Sequence, residues 1–358
     1  MLLLFLTLAG IGLVQVYSSS FIFATESRGD GLFFFKKQLL VIVISFFFLI
    51  STAYFPFRWI QKLTPFFWMV NVFLILLTLI PGIGIRAGGA SRWLGMPMGF
   101  RLQPSELLRV TLPLFFAYIL TIDREKLGQW KWPILISLFG IPLLLLLRQP
   151  DFGSFAILLL VLVTLLVAFG LPWKYILASG SGMAIGFFIL IWSVPYRRAR
   201  LLSYLDPWSE GANSGFQLIQ SLLGFRSGGL TGVGLGQGQA KLLFLPEAHT
   251  DFTLAVLGEE IGFIGVFLVL SLFGFLIHRG FQISLRANTE FEKATVLGLI
   301  LSFTFSVFVN VGVALGLLPT KGLALPFLSY GGSSIIVLGI LFGLILNIRR
   351  RIKVWNKK

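Results

Sequence analysis

Long apolar runs recur along the chain, with no Cys-, Gln- or Ser-rich tract between them. A helix that crosses a bilayer needs about 20 apolar residues. The runs predict spans at 2–18, 38–55, 65–81, 104–121, 132–147, 154–171, 174–194, 251–277, 294–317 and 331–348. The expected fold is an all-α integral membrane protein with about ten transmembrane helices, forming one polytopic domain over 1–358. The chain opens directly into LLLFLTLAGIGLV, without a basic lead or a small-residue cleavage site, so this run reads as a retained helix and not a signal peptide.

The polar segments between spans are unequal. Most are short, but 195–250 is long, Gly-rich and polar, and is expected as a large, partly helical extracellular loop between helices 7 and 8. Within it GFQLIQSLLGF (215–225) is amphipathic, which predicts a helix lying at the outer interface.

Composition sharpens this picture. Hydrophobic residues make up 56% of 358 and charged residues 12%, against about 25% charged in soluble domains. A soluble enzyme, a disordered chain and a coiled coil are excluded. Without Cys there are no disulfides, Cys-based metal sites or thiol catalysis, and two His argue against a His-rich metal site.

The formal net charge is +15. An even number of spans puts both termini on one side. The basic tail 349–358, with Arg349, Arg350, Arg351, Lys353, Lys357 and Lys358, argues that this side is cytoplasmic. Yet almost half of the 29 basic residues then fall on the outer face. That surplus points to an anion handled outside; the alternative is an inverted topology.

Ionisable groups within membrane spans are costly and are functional candidates. Asp251, in LPEAHTDF, sits where the long loop meets the eighth span. Either Thr250 or Asp251 caps that helix, or Asp251 is a general base that takes a proton from a sugar hydroxyl. Glu106 and Arg109, three apart at the start of the fourth span, form a structural ion pair, or Arg109 reaches a substrate phosphate. Glu259 and Glu260, about 12 Å along the helix from Asp251, point in different directions, and at least one is expected to pair with a base of another helix. Arg92, Arg148, Arg197, Arg198, Arg200, Lys241 and Lys321 fall on the outer side, where they meet either a pyrophosphate or lipid headgroups.

Two motifs mislead. GVGLGQG (232–238) lacks the strand–turn–helix context and the GK[ST] ending of a phosphate loop, so a nucleotide is not expected. It reads as flexible backbone, or as N–H groups facing a phosphate. His249, Asp251 and YGGSS (330–334) do not make a serine protease, because no GxSxG elbow is present.

GGASRW (88–93), QPSELLR (103–109), QPDFGS (149–154), YRRARLLSYLDPW (196–208), GFQLIQSLLGFRSGGLTGVGLGQG (215–238), LPEAHTDFTLAVLGEEIGFIG (245–265) and NVGVALGLLPTKGLALPFLSYGGSS (310–334) follow one another in order. Together they resemble the SEDS family (shape, elongation, division and sporulation), which includes FtsW, RodA and SpoVE. LPEAHTDF and LLPTKG are more similar to the FtsW/SpoVE branch. The basic cytoplasmic lead usual in the family is nearly absent.

The resemblance implies a ten-helix peptidoglycan glycosyltransferase that polymerises lipid II at the outer face of the bacterial cytoplasmic membrane, for cell division or cell shape. It implies inverting transfer with polyprenyl pyrophosphate as leaving group. Asp251 matches the family's essential Asp, Glu106 the Glu of QPSE, and Arg92 the Arg of GAxRW. Substrate contacts are expected from Glu106, Arg92, Arg109, Arg198, Arg200, Lys241 and Lys321. The implied partners are lipid II, a polyprenyl-linked glycan, a class B penicillin-binding protein and other divisome or elongasome membrane proteins, with no nucleic acid. A divalent cation, Mg or Mn, fits the pyrophosphate chemistry, although no ligand set is visible; neither a nucleotide nor haem is expected. Two readings of other classes stand beside it: a lipid II flippase or transporter, and a non-catalytic scaffold for a transpeptidase.

Overall fold

The computed structural model describes residues 1–87, 90–121, 131–170, 186, 192, 204, 206–208, 215–244, 249–319 and 322–355. Helices dominate: α1 (Leu2–Arg28), α2 (Phe33–Tyr54), α3 (Phe57–Leu79), α4 (Pro104–Thr121), α5 (Lys131–Arg148), α6 (Phe152–Ala168), α7 (Phe216–Gly228), α8 (Thr253–Leu285), α9 (Glu290–Ala314) and α10 (Gly332–Trp355). A three-stranded antiparallel sheet, β1 (Gly84–Ala87), β2 (Ala90–Gly95) and β3 (Arg101–Leu102), lies between α3 and α4.

Among the described residues, six helices are long and apolar enough to cross a membrane: α1, α2, α3, α8, α9 and α10. The expected spans 104–121, 132–147 and 154–171 fall on α4, α5 and α6. The expected span 174–194 lies almost wholly outside the described residues. The amphipathic stretch 215–225 is helical, as α7, and packs on α8.

One differing boundary has a local cause. The first span was expected to end near residue 18, where YSSS begins, but α1 runs on to Arg28. Ser19 and Ser20 bond back to the carbonyls of Gln15 and Val16, at 2.8 and 2.6 Å. Their polarity is thus satisfied within the helix.

Small residues let α2 and α10 pack closely. Ser45 Oγ donates to the Ile335 carbonyl at 2.5 Å. A Cβ on Gly339 would overlap the Ser45 carbonyl, and one on Gly343 would overlap Thr52 Oγ1. Gly343→Val is therefore expected to lose about 1–3 kcal/mol through overpacking, read as a lower melting temperature in detergent.

At the end of the bundle that holds the α10 C-terminus, Asn347 donates to the carbonyls of Thr52 and Phe55, and Arg350 to that of Ala53. Arg351 pairs with the buried Glu292 at 3.2 Å. Thr289 caps α9 by accepting from the Glu292 N–H, and Glu292 accepts in turn from the Asn288 N–H, one residue before the cap. Two tail bases thus tie α10 to α2 and α9.

At the opposite end gather the C-terminus of α1, the sheet and the N-termini of α2, α4, α6, α8 and α10. The segment before α10, LALPFLSYGG, is plugged into the core by Phe327, whose ring packs against Phe5 and Phe303 at 4.9 and 6.0 Å. Phe327 has φ +68, a conformation costly for a side-chain-bearing residue, which this burial sustains.

Candidate functional site

Pro104 opens α4, where its missing N–H costs nothing. This sets Glu106 and Arg109 on one face, paired at 2.9 Å and both buried. Around them motifs distant in sequence interlock. The Gln103 N–H donates to Ser333 Oγ at 3.0 Å, and Ser333 Oγ donates to the Arg101 carbonyl at 2.8 Å. Ser105 Oγ donates to Asp151 Oδ2 at 3.0 Å. Asp151 also caps α6 by accepting from the Ser154 N–H. Arg92 donates to the Pro150 carbonyl, while its Nε is buried without a partner.

Asp251 stands on the turn before α8. The cap expected of Thr250 or Asp251 falls one residue later, on Phe252, which makes no side-chain cap bond. Phe252 is instead drawn into an apolar cluster with Ala240, Ala255, Val256 and Val313. The half-buried Asp251 carboxylate faces Gly322, where a Cβ would lie 3.1 Å from Oδ2. Its backbone carbonyl accepts from Asn310 Nδ2 at 3.1 Å, and the same amide holds the Leu323 carbonyl.

The segment 322–334 joins the two halves of the site. Leu323 packs over Gly153, next to Phe152 and the Asp151 cap. Ser329 Oγ lies 3.2 Å from Thr253 Oγ1, and the Tyr330 N–H donates to the His249 carbonyl at 2.9 Å. The His249 ring stacks on Phe23 and is tilted against Phe34, with centroids at 5.3 and 5.2 Å. Burial pushes the Tyr330 hydroxyl above its ordinary pKa, with Arg101 opposing.

Lys241 was expected to meet an anion. The structure buries it against Glu260, Nζ to Oε1 at 2.6 Å, and Lys241 also donates to Ser18 Oγ at 2.9 Å. Glu259 accepts from the backbone N–H groups of Gln239 and Ala240 at 2.9 and 3.0 Å. At least one of these acids was expected to pair with a base of another helix; Glu260 does pair with a base, Lys241, which stands in the short helical turn Ala240–Phe244 ahead of α8. In the 232–238 loop, the N–H groups of Val233 and Gly234 donate to the carbonyls of Glu259 and Glu260, so they are not facing a phosphate.

Arg198, Arg200 and Lys321 lie outside the described residues. Asp151, Ser105, Ser333 and Asn310 were not among the expected site residues. The signal for Asn310 was a lone amide in an apolar span, and for Asp151 a Pro-Asp pair ahead of a helix. Among the described residues, no three His, Asp or Glu side chains gather as a metal ion would require.

Apolar helices long enough to span a membrane, with carboxylates, hydroxyls and cations collected at one end of the bundle, define a multi-pass membrane protein. More narrowly, the chain belongs to the FtsW/RodA/SpoVE family of cell cycle proteins, whose model matches residues 1–354. It is 42% identical over 356 residues to the probable peptidoglycan glycosyltransferase FtsW of Geobacter metallireducens, covering 98% of this chain and 94% of that protein. The protein of the same name from Methylomonas methanica is 37% identical over 338 residues, covering 93% of this chain and 87% of that one.

Among solved structures, a chain from a peptidoglycan synthase complex that coordinates polymerization and crosslinking superposes with a TM-score of 0.81. It is 29% identical, with 98% of this chain and 97% of that one covered. The rod shape determining protein RodA of Thermus thermophilus superposes with a TM-score of 0.71 at 26% identity, with 98% and 95% covered.

Proposed function

We propose that this chain is a peptidoglycan glycosyltransferase that polymerises lipid II at the outer face of the bacterial cytoplasmic membrane. The observation that carries the reading is the placement of Asp251: a half-buried carboxylate at the polar end of the bundle, set against a glycine and held through its backbone by Asn310. In this reading Asp251 takes the proton from the 4-hydroxyl of the GlcNAc of an incoming lipid II. That oxygen attacks the anomeric carbon of the growing glycan, the bond to polyprenyl pyrophosphate breaks, and configuration inverts.

The departing pyrophosphate gains charge that fixed cations stabilise. Arg92, Arg198, Arg200 and Lys321 are assigned to it, with Glu106 and Arg109 supporting the same end. Lys241 is withdrawn from this set because Glu260 and Ser18 occupy it. A divalent cation bound mainly by the pyrophosphate would need only one or two carboxylates from the chain, and the step is derived without one.

The membrane end with 349–358 is assigned to the cytoplasm, with both termini there, and 195–250 to the outside. The whole chain is then one polytopic domain. A class B penicillin-binding protein is the expected partner, among other membrane proteins of division or elongation. The synthase complex to which this chain is similar supports a transpeptidase partner.

The test is polymerisation of purified lipid II by the chain, with and without its cognate penicillin-binding protein, in wild type and Asp251→Asn. Lipid II supplied only to the outside of proteoliposomes should be polymerised. Lipid movement without polymer would instead support a transporter.

A further inference from the structure

The helix that follows Asp251 is broken. Gly262 interrupts α8 at φ +66 and ψ −172, so Thr253–Ile261 is not held in line by the rest of the helix. Every residue from Thr253 to Glu260 is buried, and Asp251 sits just ahead of them.

The chain 228–241 crosses the break and bonds to both sides of it. On the near side, the Val233 and Gly234 N–H groups donate to the carbonyls of Glu259 and Glu260, each at 3.0 Å. On the far side, the Phe263 and Ile264 N–H groups donate to the carbonyls of Gly229 and Leu230, at 2.9 and 3.1 Å. Two carboxylates reinforce this. Glu259 caps the Gln239 and Ala240 N–H groups, and Glu260 pairs with Lys241 and accepts from Ser18 Oγ on α1 at 2.5 Å.

The fit depends on glycine at two positions with positive φ. A Cβ on Gly232 would overlap the Glu260 carbonyl, and one on Gly262 would overlap the Gly232 nitrogen. Ala240 then packs beneath the first turns of α8 with Phe252 and Ala255.

We infer that residues 229–241, clasped by Glu259 and Glu260, form a splint across the Gly262 break that sets the position of the Asp251 carboxylate, with Gly232, Glu259, Glu260 and Lys241 as positioning residues. The inference rests on Asp251 being the base. Misplacing a reacting group by about 1 Å costs on the order of 10²-fold in rate, so a small tilt at the break is enough to silence the site.

The test uses the full chain with its penicillin-binding protein and lipid II. Gly232→Ala, Glu259→Gln and Glu260→Gln are each expected to lower kcat about tenfold or more, with KM for lipid II within about twofold. Leu285→Ala, exposed at the far end of α8 and outside the splint, is expected to match wild type. Because the chain has no Cys, paired spin labels at Thr250→Cys and Leu317→Cys report the placement of the Asp251 turn against the end of α9. The distance distribution should shift or broaden in the splint variants, and Glu260→Asp should restore part of both rate and distribution.

Variants that polymerise like wild type, or that lose rate with an unchanged distribution, overturn the splint. Loss of fold in all three overturns it as well, since the ties would then be purely structural. If instead Asp251→Asn polymerises normally, it is the assignment of the base that fails.

Discussion

Asp251→Asn is expected to leave the chain folded and bound to its transpeptidase partner while lipid II polymerisation falls by about 10²–10⁴-fold, the range a positioned general base contributes. Asn keeps the volume and planarity of the side chain beside Gly322, and the bond from Asn310 reaches the backbone carbonyl, which the substitution does not touch. The buried turns that follow, from Phe252 onward, are held by apolar packing and by the Thr253–Ser329 contact. The fold is therefore expected to be retained. The amide cannot accept the hydroxyl proton, so the loss should appear in kcat with the melting temperature preserved. A scaffold that only activates its transpeptidase would not polymerise lipid II even as wild type, and the substitution would cost it nothing: crosslinking by the partner would continue, and cells carrying only Asp251→Asn would stay viable. Measuring polymer length and transpeptidase activity on the same sample separates the two outcomes.

What was legible in the sequence follows from how local each determinant is. The bounds of α4, Pro104–Thr121, coincide with the expected span because a proline opens the helix and an apolar run sustains it. Asp251 and the Glu106–Arg109 pair were visible because ionisable groups are conspicuous in an apolar chain. The sheet over 84–102 was not, because its strands are only two to six residues long, too short to carry a clear alternating pattern.

Lys241 was assigned by side of the membrane alone. Its partner Glu260 lies 19 residues on, and only the fold brings the two together. The break at Gly262 was hidden for the same reason. An apolar GFIG reads as continuous helix, and the strand of chain that fits into the break comes from Gly232. Local pattern gives element type and the conspicuous charges; the partner of each charge is a tertiary fact.

The Glu106–Arg109 pair offers the second large effect, and the two roles left open for it differ in a measurable way. Both side chains are buried, at 8% and 6% exposure, and paired at 2.9 Å; Arg109 Nε has no hydrogen-bond partner. Removing one member strands the other charge, which typically costs about 3–5 kcal/mol. Arg109→Met and Glu106→Gln should therefore each melt well below wild type.

The double variant Glu106→Gln/Arg109→Met strands no charge, and replacing a buried pair by neutral groups is often close to neutral for stability. Most of the loss should be recovered. If the pair is only structural, polymerisation recovers with the melting temperature. If it orients substrate at the polar end of the bundle, beside Asp151 and Ser334, the double variant is stable yet slower by about a hundredfold. The second outcome is the expected one. α4 is packed against α9 along its length, so the apolar contacts suffice to hold the helix in place. A pair whose desolvation the fold does not need is then explained by what it does for the substrate.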